Sequence, residues 1–143
     1  LREAVRGARF TVGSVQVEVC GDRHAEVHPT IPGPENRAYL VEDRVLITGD
    51  EHPRPPRHVN TLVTPIDAPW LRATDLIRYV RECTPDTVIG VHDGLLNDAG
   101  IKVARSVADS LRAEGVREAV ILRDRESFLI DDDLGVPRGS SDW

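Results

Sequence analysis

Val45-Leu46-Ile47-Thr48-Gly49-Asp50 and Thr87-Val88-Ile89-Gly90-Val91-His92-Asp93-Gly94 are short apolar runs that each stop at a polar, ligand-type residue. Short apolar runs bounded by Gly and Asp predict buried strands. The carboxyl ends of such strands are favoured places for sites, because a strand tip holds a side chain rigidly and the loop beyond leaves it open. An Asp and a His at two such tips, with His24 upstream, outline part of a metal site. Each residue taken singly has a plainer reading. Asp after Gly at a strand end commonly caps its own loop, and His-Asp-Gly is a turn that needs no function.

Outward from these runs, Thr61–Ile66 predicts a further strand ending at Asp67. Pro65 within it points to an edge position, since proline cannot donate to a ladder. Ala73, Leu76, Ile77 and Val80 recur at helical spacing and predict a helix over residues 73–83, closed by Pro85. Ile101, Ala104, Val107, Ala108 and Leu111 predict a second helix that stops at Gly115. Val120–Leu122 and Ser127–Ile130 then predict two last strands. Upstream, Val15, Val17 and Val19 alternate with Gln16, Glu18 and Cys20, and pair with Ala8–Val12 in a hairpin about Gly13-Ser14. Ala38–Val41 and Val45–Thr48 predict a second hairpin. Between the hairpins Gly21–Glu35 is a long loop carrying His24 and His28, and loops of that length in compact domains tend to be functional. The expected fold class is therefore α/β (α+β): hairpins first, then alternating strands and helices, giving mixed β-sheets with helices on one outer face. One domain over residues 1–130 is expected, followed by a mobile acidic tail at 131–143.

Composition narrows the partners. Twenty-four acidic against 18 basic residues give a net charge of -6, which argues against a nucleic-acid backbone. Arg54, Arg57 and His58 are crowded by prolines and no aromatic interleaves them, so they read as a solvated loop. No apolar stretch approaches the roughly 20 residues of a bilayer span, and the N-terminus has no signal-peptide pattern. The expectation is a cytoplasmic protein with no membrane partner. Cys20 and Cys83 stand far apart in no CxxC arrangement, which predicts two reduced, packed thiols.

A more specific pattern runs through Cys20-Gly21-Asp22-Arg23-His24-Ala25-Glu26-Val27-His28-Pro29, then Glu35-Asn36 and Tyr39-Leu40-Val41, then Thr48-Gly49-Asp50, Ala68-Pro69-Trp70 and Val88–Gly94. Over roughly residues 7–130 it resembles the metallo-β-lactamase-fold hydrolases, with greatest similarity to the branch of ascorbate-6-phosphate lactonase-like proteins. The resemblance implies a four-layer αββα fold with a dinuclear centre holding Zn²⁺ or Mn²⁺. It implies hydrolysis of an ester, lactone or phosphoester in a small-molecule substrate by metal-bound hydroxide. Carried over by motif, His24 serves the first metal, Asp50 bridges both and positions the attacking group, and His92 serves the second. His28 is the reserve for His24, and Asp67 or Asp93 are candidate partners behind the histidines. His52 and His58 have no counterpart and read as surface loop residues.

The family's His-x-His-x-Asp-His segment does not occur in this sequence. The residues present would give each ion two protein ligands, against about three in a catalytic zinc site. This chain alone is therefore expected to turn over weakly or not at all, and to bind metal loosely or lack it. A sheet face left uncovered predicts a homo-oligomer or a complementing chain. Two readings stand beside this one. A non-catalytic module would use that face for binding. A small doubly wound domain binding Mg²⁺ and phosphate is a further reading, weakened because no Gly-rich phosphate loop follows any strand.

Overall fold

The computed structural model describes residues 3–130, so the expected tail at 131–143 lies outside the described residues. Seven strands form one mixed sheet in sequence order: β1 (Arg9–Val12), β2 (Val15–Val19), β3 (Tyr39–Val41), β4 (Val45–Ile47), β5 (Thr61–Pro65), β6 (Thr87–Val91) and β7 (Glu118–Ile121). The first four strands pair antiparallel as successive hairpins, and β4 to β7 are parallel. Helix α1 (Ala73–Cys83) crosses from β5 to β6, and α2 (Asp98–Arg112) crosses from β6 to β7. The fold class is α+β.

Register explains the core. Leu40, Leu46, Leu62, Val88 and Ala119 stand opposite one another across five strands, forming one continuous apolar row. All five are buried, three of them the leucines that are among the largest fully buried side chains. Both helices pack on this row, α1 with Leu76, Tyr79, Val80 and Cys83, and α2 with Ala104, Ala108 and Leu111. Each fully buried leucine contributes about 1.5–3 kcal/mol. The neighbouring row, Tyr39, Ile47, Val63, Ile89 and Val120, points to the opposite face and stands outside that core. None of the core residues of either helix lies against it; Ile47 within it is 40% exposed, while Ile89 is buried.

Local chemistry sets the helix ends. Asn97 caps α2 by accepting the Gly100 N–H at 2.9 Å, satisfying one of the free donors of the first turn. Thr84 ends α1 in the left-handed region, its N–H returning to the Val80 carbonyl.

Two strand expectations are corrected. β5 is interior, flanked by β4 and β6, and not an edge strand. It tolerates Pro65 because the proline is its last residue, and the next ladder donor is the Ile66 N–H, bound to the Val91 carbonyl at 2.8 Å. Ser127–Ile130 forms no strand; after β7 a turn closes at Glu126 N–H to Arg123 C=O and the segment leaves the sheet.

Both cysteines are buried and free, as expected, and burial pushes each thiol above its ordinary range. Among the described residues no helix is long and apolar enough to cross a membrane.

Candidate metal centre

Parallel pairing puts the carboxyl ends of β4, β5 and β6 on one edge of the sheet. Asp50 follows β4 and His92 follows β6, separated by the width of β5, so the two tips stand about 10 Å apart and their side chains reach across it. His24 enters from the long loop. That loop is tied to the β4 tip by the Ala25 N–H, which donates to the Asp50 carbonyl at 2.9 Å.

The three side chains predicted from sequence meet at this edge. His24 Nε2 lies 3.5 Å from Asp50 Oδ2, and His92 Nε2 lies 3.7 Å from Asp50 Oδ1. Each carboxylate oxygen therefore faces a different imidazole. Among the described residues the partners of the carboxylate are these two imidazoles and not its own loop.

The spacing has a chemical meaning. A direct charge-assisted hydrogen bond would bring N and O to about 2.7–2.9 Å. Two donors about 2.1 Å from a tetrahedral zinc lie about 3.4 Å apart, which is nearer to what is seen on both sides. The His24 tautomer points the same way. Its Nδ1 sits 2.6 Å from the Ala25 carbonyl, which can only accept, so Nδ1 carries the proton. Nε2 is then the ring atom turned to the Asp50 carboxylate, in position to share a cation with it or to pair with it directly. Each side of the Asp50 carboxylate thus presents one nitrogen and one oxygen donor. Among the described residues no group of three or more His, Cys, Asp or Glu side chains is set to hold a metal ion, His24, Asp50 and His92 included.

His92 is held in the left-handed region at φ 67°, a conformation that costs a non-glycine residue about 1–3 kcal/mol. The Val91 carbonyl just before it is fixed by the Ile66 N–H, so the strained residue is aimed from a firm strand.

The other sequence candidates fall elsewhere. His28 is exposed and spends Nδ1 on Thr30 in its own turn. Asp67 and Asp93 make no side-chain hydrogen bond to either histidine among the described residues; the partner behind His24 is the Ala25 carbonyl. His58 is exposed, with Nε2 near the Thr84 carbonyl.

His52 is a correction. It is no surface residue but stacks on Tyr79 at 4.3 Å between ring centres, with Trp70 edge-on at 5.3 Å. Burial lowers its pKa to about 4, so the ring is neutral at physiological pH. Tyr79, whose hydroxyl donates to the Pro53 carbonyl at 2.7 Å, anchors the stack, and Trp70 meets His24 edge-on at 6.4 Å. Glu51, beside Asp50, has its carboxyl pushed upward by burial and by the Asp22 charge.

Sequence reasoning gave no role to Asn36. It is buried beneath the β4 tip and touches both Thr48 and Asp50. The signal was faint: an Asn just before an apolar strand, with its partners on a different strand.

No family model matches this chain. Over 95 residues it is 32% identical to Protein Rv0786c of Mycobacterium tuberculosis (strain ATCC 25618 / H37Rv), a match spanning 63% of this chain and 45% of that protein. Its fold is similar to a crystal structure from Parabacteroides distasonis ATCC 8503, provisionally named a metal-dependent hydrolase. That likeness has a TM-score of 0.60 at 17% identity and covers 81% of this chain and 55% of the other. The chain thus spans about half the length of the proteins it matches.

Proposed function

We propose that this chain contributes the Asp50-centred half of a metal-dependent hydrolase site acting on an ester, lactone or phosphoester of a small molecule. One observation carries the reading: the two oxygens of Asp50 face the Nε2 atoms of His24 and His92 at 3.5 and 3.7 Å. His24 and Asp50 would hold one divalent ion, and Asp50 and His92 the other, with Zn²⁺ or Mn²⁺ suited to the nitrogen and oxygen donors. Bound ions of this kind acidify a coordinated water and polarise the bond it attacks. The residues of this chain position and orient. Ala25 fixes the His24 tautomer through its carbonyl and ties the loop to Asp50 through its N–H. Trp70 walls the site on the His24 side.

The donor count also belongs to this reading. Two protein ligands per ion leave each short of the about three in catalytic zinc sites, so the complete hydrolase draws further ligands from outside residues 3–130. We place the chain with the ascorbate-6-phosphate lactonase-like branch of the metallo-β-lactamase fold, as the part that follows the His-x-His-x-Asp-His segment. The likeness in fold to a protein provisionally named a metal-dependent hydrolase supports the coarser part of this reading.

The test is hydrolysis of p-nitrophenyl acetate, bis-p-nitrophenyl phosphate and a γ-lactone with Zn²⁺ or Mn²⁺ added, comparing the chain with Asp50→Ala. Weak metal-dependent turnover that D50A abolishes is expected. Turnover that D50A leaves intact would overturn the assignment.

A second reading is favoured by the helix-free sheet face, where Ile47 and Val91 are 40% and 39% exposed. The chain would then be a non-catalytic module that self-associates or receives a complementing chain through that face. Light scattering decides it: a concentration-dependent dimer that Ile47→Lys dissociates supports the module, and a monomer at all concentrations counts against it.

A further inference from the structure

Asp50 sits where a strand gives way to a loop, yet both of its main-chain polar groups are engaged. Its carbonyl accepts from the Ala25 N–H at 2.9 Å, and its N–H donates to Asn36 Oδ1 at 3.0 Å. The other end of the same amide, Asn36 Nδ2, donates to the Thr48 carbonyl at 2.9 Å. Asn36 therefore grips the residue before Gly49 and the residue after it. The side chain is 8% exposed, so neither bond competes with bulk water.

The turn itself is shaped around this amide. Gly49 has φ 62°, and a Cβ there would lie 2.2 Å from Asn36 Oδ1 and 3.0 Å from its Cγ. On the other side a Cβ at Gly21 would come to 3.5 Å from Asn36 Nδ2. Only an amide offers a donor and an acceptor at once from this position. A carboxylate would set an oxygen against the Thr48 carbonyl, and an apolar isostere would satisfy neither partner.

We infer that Asn36 is a positioning residue for the His24–Asp50–His92 site: it fixes the main chain of residues 48–50 so that one carboxylate stands between two imidazoles. This rests on the reading of that site as metal-binding. The geometry makes the site sensitive to it. A single side chain sets both N···O separations, so a rotation of Asp50 that improves one spoils the other.

The experiment uses the full chain as wild type, Asn36→Ala, Asn36→Asp and Val116→Ala, the last a buried site remote from the edge. Two readouts are taken: hydrogen exchange at the Asp50 amide, and calorimetric titration with Zn²⁺ alone. In N36A the Asp50 amide is expected to exchange at least 10-fold faster than global stability accounts for, and Zn²⁺ affinity to fall about 10–100-fold, the usual effect of losing an outer-shell partner. N36D keeps an acceptor for the Asp50 N–H and falls between, carrying the test if N36A does not fold. V116A lowers the melting temperature and leaves Zn²⁺ affinity unchanged.

Unchanged Zn²⁺ affinity in folded N36A or N36D, with the wild type binding, overturns the inference and leaves the metal reading standing. A wild type that binds no Zn²⁺ overturns the metal reading, and Asn36 is then a clamp of the fold only. An affinity loss in V116A equal to that in the Asn36 variants also overturns the inference, since general loosening would then suffice.

Discussion

Gly49 and Gly13 share a φ of 62° and differ in what surrounds them, which makes Gly49→Ala and Gly13→Ala a matched pair. At Gly13 nothing lies within 4 Å of an added Cβ. Its replacement therefore costs only the left-handed conformation, about 1 kcal/mol. At Gly49 the same Cβ would fall 2.2 Å from Asn36 Oδ1. The amide cannot yield without giving up its bonds to Thr48 and Asp50, at about 1 kcal/mol each, and leaving buried groups unpaired adds about 1–2 kcal/mol more. G49A should thus cost about 4 kcal/mol against about 1 kcal/mol for G13A. At about 4 °C per kcal/mol the two melting temperatures separate by about 12 °C. Urea denaturation followed by circular dichroism measures the two costs, and thermal melts measure the separation. The clash also predicts strong coupling: in an Asn36→Ala background G49A should cost only about 1 kcal/mol, because the atom it meets is gone. Equal costs for the two single replacements, or additive costs for G49A and N36A, would refute the clamp.

The half-buried His52 makes metal-free stability pH-dependent in a defined window. Above about pH 6.5 the ring is neutral in both the folded and the unfolded chain; between there and its folded pKa of about 4, only the unfolded chain takes up a proton. Stability should fall as pH drops through that window, by about 1–2 kcal/mol once solvent screening of a half-buried ring is allowed for, and His52→Phe, which keeps a ring on Tyr79, should remove this part of the slope in urea titrations at pH 7, 5.5 and 4.5. Leu62→Ala, at the centre of the buried row, should cost about 2–5 kcal/mol, whereas Ile47→Ala on the helix-free face should cost under about 1 kcal/mol by the same assay.

The expected fold was legible because apolar periodicity is a local signal. Val45–Thr48 and Thr87–Val91 were read as strands from their own residues, and parallel order then puts Asp50 and His92 on one edge. His24 stands out as a ligand-type residue upstream of the two tips, the motif resemblance gives it its role, and His24 rather than His28 is the one beside Asp50. What the sequence hid depends on distant partners. His52 looks like a loop residue until Tyr79, on a helix 27 positions later, supplies the ring that buries it. Asn36 looks like a pre-strand polar residue until Thr48 and Asp50, 12 and 14 positions on, take both ends of its amide. Pro65 misled because a general rule about ladder donors does not apply at a strand's final residue. Ser127–Ile130 misled because a short apolar pattern forms a strand only where a neighbour offers a free edge.

Native mass spectrometry in excess Zn²⁺ tests the central claim, that one carboxylate serves two ion positions. The wild-type chain should carry up to two Zn²⁺, His24→Ala and His92→Ala should each lose one, and Asp50→Ala should lose both. A D50A variant that binds as many ions as the wild type would contradict the account.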